Sequence, residues 1–479
     1  MAMGKRKPRQ ESLFVSTDRL APSAGHPFYQ KLNELLAEAG FDRWAESRCA
    51  KYYEQAEKRG QPSLPPGVYF RMLFVGYFEN IDSQRGIAWR CADSLSLRAF
   101  LGIPLDEGTP DHSTMTNTRK RLPSEVFDEV FQFVLGIAEA KSLIAGKTVG
   151  VDSTTLEANA AMKSIVRKDT GEDWTAYVVR LMRAAGVVGP DETPSKEEVI
   201  RFDRKRKDKT ASNAEWKSKA DPDAKIAKMK DGTTHLAYKA EHVVDLEADL
   251  ILAAEIRPAT DADTATLADS VMAAQLNLKA VGSEAVIREA AADKGYHAAA
   301  TLELCDFLDV RTYIPEPKKK EPPEPKPEEA SDRKGKRKRK SKRPEKPEAE
   351  RKAVANNRRR MGRAKGKRLQ RRRSEVVERT FAHVCETGGS RRSHLRGLAN
   401  VTKRYVIAAA AHNLGRILRK LTGVGKPKAL QGVAGGPAGV GEGEAVRFKI
   451  VWASIRSKWA ELGHRFRWVT DRALVRLPA

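Results

Sequence analysis

Apolar residues recur at helical spacing early in the chain. Phe28, Leu32, Leu35, Leu36 and Trp44 fall near a 3.6-residue period, and Gly40 and the Pro65-Pro66 pair punctuate the run. The stretches SQRGIAWRCADSLSLRAFLG and PDHSTMTNTRKRL predict further short helices, so residues 28–125 are expected to be all-α. The pattern changes at residue 146. KTVGVD predicts a strand, and residues 156–230 are mixed, charged and partly helical. HLAYKAEHVVD alternates at period two and LILAAEIRPA follows after Asp249, which predicts a hairpin. An amphipathic helix opened by Asp and Thr caps follows over 261–281, then a strand ending at Asp293, a helix over 297–310 and a strand stopped by prolines near 317. Hairpin strands followed by alternating helix and strand predict an α/β fold: a mixed sheet flanked by helices, behind an N-terminal all-α domain.

Residues 316–373 differ in kind. They carry 26 Lys and Arg against 9 Asp and Glu, many prolines and almost no large apolar residues, so they predict a disordered basic insertion. Such a tract can neutralise phosphates without reading sequence. Helical spacing returns over 374–421, a Gly-rich linker spans 422–445, and 446–479 read as a basic, aromatic helix with Val451, Ile455, Trp459 and Leu462 on one side. Residues 1–27 read as a flexible basic N-terminus, and 146–315 as the first part of a catalytic core completed by 374–421.

Composition narrows the partners. The chain has 479 residues, 40% of them hydrophobic, enough for a real core. Its net charge of +25 predicts a polyanionic partner, nucleic acid or anionic membrane. The most apolar stretch, YVIAAAAHNLGRIL, carries His412, Asn413 and Arg416 and falls short of about 20 uninterrupted apolar residues. No apolar run backs the basic start, as a signal peptide would require. Cys49, Cys91, Cys305 and Cys385 lie far apart with no CxxC pair, which predicts reduced thiols rather than zinc ligands or disulfides. The expected partner is double-stranded DNA, with no membrane, and the expected place is the cytoplasm, on the nucleoid.

Three acidic residues carry the candidate chemistry. Asp152 ends the strand-like TVGVD, Asp293 follows an apolar run in AADKGYH, and Glu378 lies on the helix RRRSEVVERTFAHV. Carboxylates from two strand ends and one helix can hold two Mg²⁺ or Mn²⁺ ions roughly 4 Å apart, which activate a water and steady the leaving 3′-oxygen of a phosphodiester. Asp152 could instead cap a helix over DSTTLEANAA, and Asp293 could be a turn residue before Gly295. Glu375 competes with Glu378, but Arg379 four residues on offers Glu375 a surface ion pair. Glu378 borders the Val377, Phe381 and Val384 stripe beside the small Ala382 and Cys385, so it is expected to approach the sheet. His235 and His242 could be ligands or general bases, but a lone His on a half-buried strand is more often structural. In the N-terminal helices a helix-turn-helix reading would set Ser113, Thr114, Asn117 and Arg119 in a DNA groove.

Taken together, GVDSTTLEANAAMKSIVRKDTGEDW, ADKGYH and EVVERTFAHVCETGGSRRSHLRGLANV make the chain resemble the DDE transposases of bacterial insertion sequences over most of residues 28–421. The resemblance implies an RNase H-like catalytic domain, an N-terminal transposase domain, strand cleavage and strand transfer at the inverted-repeat ends of an element, and a homodimer on DNA. It gives Asp152, Asp293 and Glu378 the catalytic, metal-holding roles. Many relatives flank the glutamate with Tyr, Arg and Lys, where this chain has Arg371, Ser374 and Cys385. Arg372, Arg373, Arg391 and Arg392 are therefore expected to supply contacts to DNA. Two other readings remain: an RNase H-like nuclease or resolvase without strand transfer, and a non-catalytic basic DNA-binding protein.

Overall fold

The computed structural model describes residues 25–53, 63–207, 212–229, 232–317 and 347–430. Chain contacts divide it into a unit over Met1–Gly425 and a second over Lys426–Ala479, of which only a short 3₁₀ turn at Pro427–Leu430 is described. The candidate amphipathic stripe at 451–462, the linker over 422–445 beyond residue 430, and the basic tract over 318–346 lie outside the described residues.

Helices α1 (Pro27–Glu38), α2 (Phe41–Cys49), α3 (Pro66–Phe78), α4 (Gln84–Asp93), α5 (Leu95–Leu101), α6 (His112–Arg121) and α7 (Ser124–Ala140) form the N-terminal part. Their starts are chemically marked. Ser83, Ser94 and Asp111 accept from the first-turn amides of α4, α5 and α6, satisfying donors that a helix leaves orphaned. Helix α3 is buried almost all round, which its uniform apolarity requires. Its one buried cation, Arg71 at 4% exposure, makes four hydrogen bonds: it forks onto Asp42 of α2 and donates to Asn33 of α1 and to the Phe100 carbonyl of α5. A buried charge is tolerable when it is paired and hydrogen-bonded, and through these bonds Arg71 ties four helices together. Helix α7, whose pattern had not been singled out, fills the space between this bundle and the rest of the unit.

The sheet begins with β1 (Thr148–Glu157). Next come β2 (Ile165–Arg167), α8 (Trp174–Ala184), α9 (Lys196–Lys205), β3 (Trp216–Ser218) and β4 (Lys225–Lys228). Then β5 (Thr234–Asp245), β6 (Ile251–Pro258), α10 (Asp263–Ala280), β7 (Glu289–Ala292), α11 (Ala299–Phe307) and β8 (Arg311–Tyr313) follow. The six-stranded sheet runs β4-β5-β1-β7-β8, with β6 sharing the outer edge of β5. Pairing is antiparallel through β5 and parallel from β1 to β7 to β8, a mixed sheet as anticipated. Strands β2 and β3 form a separate ribbon beside α8 and α9, around a small core of Val178, Met182, Val188 and Val199. Helices α12 (Glu348–Gly362), α13 (Ala364–Phe381) and α14 (Leu398–Thr422) complete the unit. Among the described residues no helix is long and apolar enough to cross a membrane.

Three expectations need correction. Asp152 lies inside β1 rather than at its end, and the strand continues through Glu157, so DSTTLEANAA does not open a helix. Helix α10 starts after Ala262 with no side-chain cap. The disordered insertion was drawn too long, because two helices, over Glu348–Gly362 and from Ala364 onward, occupy its later part. Few residues there are apolar, but Ala353, Asn357, Leu369 and Arg373 are buried, and the Asn357 side-chain amide bonds both backbone groups of Ile314 beyond β8. Tertiary anchoring of this kind overrides composition.

Helix α13 lies close on β1 because Gly150 leaves room for it. A Cβ at residue 150 would meet the Val377 and Leu246 side chains at 2.7 Å. Gly150→Ala is expected to cost about 1–3 kcal/mol by overpacking. Urea unfolding measures it, and an unchanged midpoint would mean the helix is free to shift.

Candidate active site

Parallel pairing sets β1 against β7, with Val151 opposite Ala292. Asp152 follows within β1 and Asp293 is the first residue beyond β7, so two carboxylates 141 positions apart become neighbours. Side chains alternate across a strand. Ser153 points to one face, donating to Asp263 of α10, while Gly150 faces α13 on the other. Asp152 shares the α13 face. Its Oδ1 accepts from the Ser153 amide, and its Oδ2 takes a 2.7 Å bond from Arg373 Nη1. Burial pushes the Asp152 carboxyl above its ordinary range, Arg373 opposes the shift, and the nearby charge of Asp293 adds to it.

Helix α13 crosses the strands in order. Lys365 pairs with Glu289 of β7, and Gln370 donates to the carbonyls of Ala292 and Tyr313. Arg373 meets Asp152, and Thr380 meets His242 of β5. Glu378 stands one turn beyond Ser374, whose hydroxyl accepts from the same Arg373 guanidinium. Helical geometry thus places Glu378 on the flank that borders the Asp152 side. It is exposed to solvent and makes no hydrogen bond or ion pair among the described residues, rather than being drawn in against the sheet. Glu375, three residues earlier on the exposed side of the helix, is paired with Arg379 at 2.6 Å and Arg372 at 3.4 Å, the surface pairing expected of it.

Among the described residues no three His, Cys, Asp or Glu side chains form a ready-made metal cage. The donor chemistry nonetheless fits a hard divalent cation. Asp152 and Asp293 supply oxygens at adjacent positions and repel one another, and Glu378 offers a third carboxylate uncommitted to any described partner.

Behind Asp152, its strand neighbour His242 is fully buried. Thr380 Oγ1 gives its proton to the Val377 carbonyl, so it accepts from His242 Nδ1 at 2.8 Å. Nε2 is then bare and accepts from the Tyr405 hydroxyl at 2.8 Å, and Phe381 stacks on the ring. The ring is neutral, and burial pushes its pKa down to about 3. The unfolded chain takes up this proton near pH 6.5. Stability is therefore present in full above pH 6.5 and is lost as pH falls toward 3, by about 4 kcal/mol over the window. Denaturant titrations across pH 3–7 should show that slope flattened in His242→Gln. An unchanged slope would take His242 out of the acid response. His235 lies at the surface 3.7 Å from Glu157.

The expected DNA contacts are placed unevenly. Ser113 and Asn117 share an exposed face of α6, with half-buried Thr114 at its side. Arg119 turns to the other side of the helix, where its Nε and Nη1 are buried without a hydrogen-bond partner. Arg372 is tied to the Leu246 carbonyl and Asp249, and Arg373 to Asp152. Arg391 reaches Thr154, the Thr155 carbonyl and Glu386. Arg392 remains 59% exposed, 3.6 Å from Glu157. The loop holding these last two residues exchanges backbone bonds with Glu157 and so extends the β1 edge. Sequence reasoning missed Arg373 as the partner of Asp152 and missed the buried Glu241, which accepts from Thr266, Ser270 and Tyr296. Nothing local marks either contact, since each joins segments distant along the chain.

Two family models match the chain. One described as Transposase domain (DUF772) covers residues 15–121, and one described as Transposase DDE domain covers residues 195–414. Asp293 and Glu378 fall inside the second span, and Asp152 lies between the two. Comparison with curated proteins and with solved structures gives no match.

Proposed function

The chain belongs to the DDE transposases of insertion sequences, and from that membership we propose that Asp152, Asp293 and Glu378 are its catalytic carboxylates, cutting DNA at the inverted-repeat ends of an element and joining the freed 3′-hydroxyl to a target. The observation that carries this reading is the strand register, which makes Asp152 and Asp293 neighbours on the face that α13 covers. Oxygen donors from these residues would hold two Mg²⁺ or Mn²⁺ ions, whose chemistry is to lower the pKa of the attacking water and to stabilise charge on the departing oxygen.

The protein's own residues prepare that centre. Arg373 opposes the upward shift that burial imposes on Asp152 and fixes its Oδ2. Gln370 braces the end of β7 through the Ala292 carbonyl, and so steadies Asp293. Glu378, unpaired and at the rim, can turn inward without breaking a contact. The surplus of Lys and Arg attracts the DNA backbone, and one copy of the chain at each element end would act as a homodimer.

The test uses DNA flanking the coding region as substrate, with Mg²⁺ and a supercoiled target. Cleavage at the repeat ends followed by joined products is expected. Cleavage with no joined product would leave a nuclease, and binding with neither would leave a DNA-binding protein.

A further inference from the structure

A pocket of roughly 200 Å³ opens between the N-terminal helices and the loop 389–395, and the active site makes no use of it. Arg119 of α6, Arg404 of α14 and Arg392 of the loop converge on it. Ser83, at the N-terminus of α4, and Ser390 add hydroxyls. Arg119 is the informative member. Its Nε and Nη1 are buried yet meet no acceptor among the described residues. Burial holds the pKa of both Arg119 and Arg404 down, so the pocket already bears unfavourable positive charge. Arg404 spends donors on the Leu73 and Ile81 carbonyls, and Arg119 has no such outlet. One carboxylate lines the space, Asp82, and it is engaged by His394 at 2.8 Å. Three guanidinium groups against one committed carboxylate select an anion. Two bare guanidinium N–H donors suit a group that carries several anionic oxygens.

We propose that this pocket binds a phosphate group, supplied by the DNA strand that the enzyme processes. The volume is adequate, since a liquid water occupies about 30 Å³ and the space equals roughly seven of them. The position is also apt. Arg392 lies at the mouth beside Glu157, five residues beyond Asp152 on the same strand, about 17 Å at strand rise. That distance matches roughly five base pairs of duplex rise, so a strand cut at Asp152 would carry a phosphate past the opening. An occupied pocket would clamp the N-terminal helices to the core through one ligand. The DNA source rests on the transposase reading; the affinity for phosphate does not.

The experiment compares the full-length protein with Arg119→Met and, as a surface substitution at the mouth, Arg392→Gln. Melting is followed against inorganic phosphate, and DNA binding is followed against salt. Wild type should melt higher as phosphate is added, and Arg119→Met should not respond. Without phosphate, Arg119→Met should melt no lower than wild type, because the charge it removes is unpaired. Its DNA affinity should fall about tenfold near 0.1 M salt, with the log–log salt slope reduced by about one. Arg392→Gln should weaken both responses. A lower melting point in Arg119→Met, together with an undiminished phosphate response in both variants, overturns the proposal. Loss of the phosphate response with an unchanged DNA slope assigns the pocket to free phosphate and overturns the DNA source. A wild type that cuts DNA while neither variant differs from it sinks the pocket alone. Arg119-dependent binding in a protein that never cuts sinks the transposase mechanism alone.

Discussion

Replacing Asp152 with Asn should abolish Mg²⁺-dependent DNA cleavage while the protein remains folded. The loss of one anionic oxygen at the centre removes an expected 4 kcal/mol or so of transition-state stabilisation, about 10³-fold in rate. A smaller structural effect accompanies it. Arg373 is buried and bonds Asp152 at 2.7 Å, and Asn offers that guanidinium an acceptor without charge. Part of the lost attraction is returned, because Asp152 is itself partly desolvated and repelled by Asp293. The net destabilisation should be about 1–3 kcal/mol. Cleavage assays with circular dichroism on the same samples separate the two effects. Wild-type cutting by Asp152→Asn would remove this residue from the chemistry.

Glu378→Gln supplies the sharper contrast. Glu378 is exposed and touches no described partner, so stability should stay within about 0.5 kcal/mol of wild type. Cleavage should nevertheless fall about 10³-fold, and DNA binding should persist. A surface residue whose loss leaves melting untouched yet eliminates turnover can only be acting on the reaction. Glu375→Gln is the control. It should cut DNA normally, because Glu375 is committed to Arg372 and Arg379 at the helix surface. If Glu375→Gln is inert and Glu378→Gln is active, the two glutamates have been assigned the wrong way round.

What the sequence disclosed follows from range. Period-two alternation in HLAYKAEHVVD marked β5 correctly, and the apolar spacing of residues 28–44 marked α1 and α2, because those signals are local. The candidate acids were also visible as residues. Their adjacency was not, since it depends on β1 and β7 pairing across an excursion of more than a hundred residues. Arg373 could be seen as a basic residue on a helix, and DNA was its obvious partner; only the docking of α13 on Gly150 reveals Asp152 as the group it meets. The helix over 348–362 was hidden for the opposite reason. Its anchors are Asn357 and Ala353, residues that hydropathy discounts. Arg119 was grouped with Ser113 and Asn117 by proximity, but helical phase turns it to the opposite side.

The order in which the segments leave the ribosome has its own consequence. Both aspartates are synthesised well before α13, and α13 contributes Arg373 as well as Glu378. A polypeptide interrupted ahead of residue 364 would carry two mutually repelling acids, with no guanidinium to orient them and no third oxygen donor. On the proposed mechanism, premature termination would yield fragments without the complete carboxylate set, and that set would be assembled late, with the docking of a single helix.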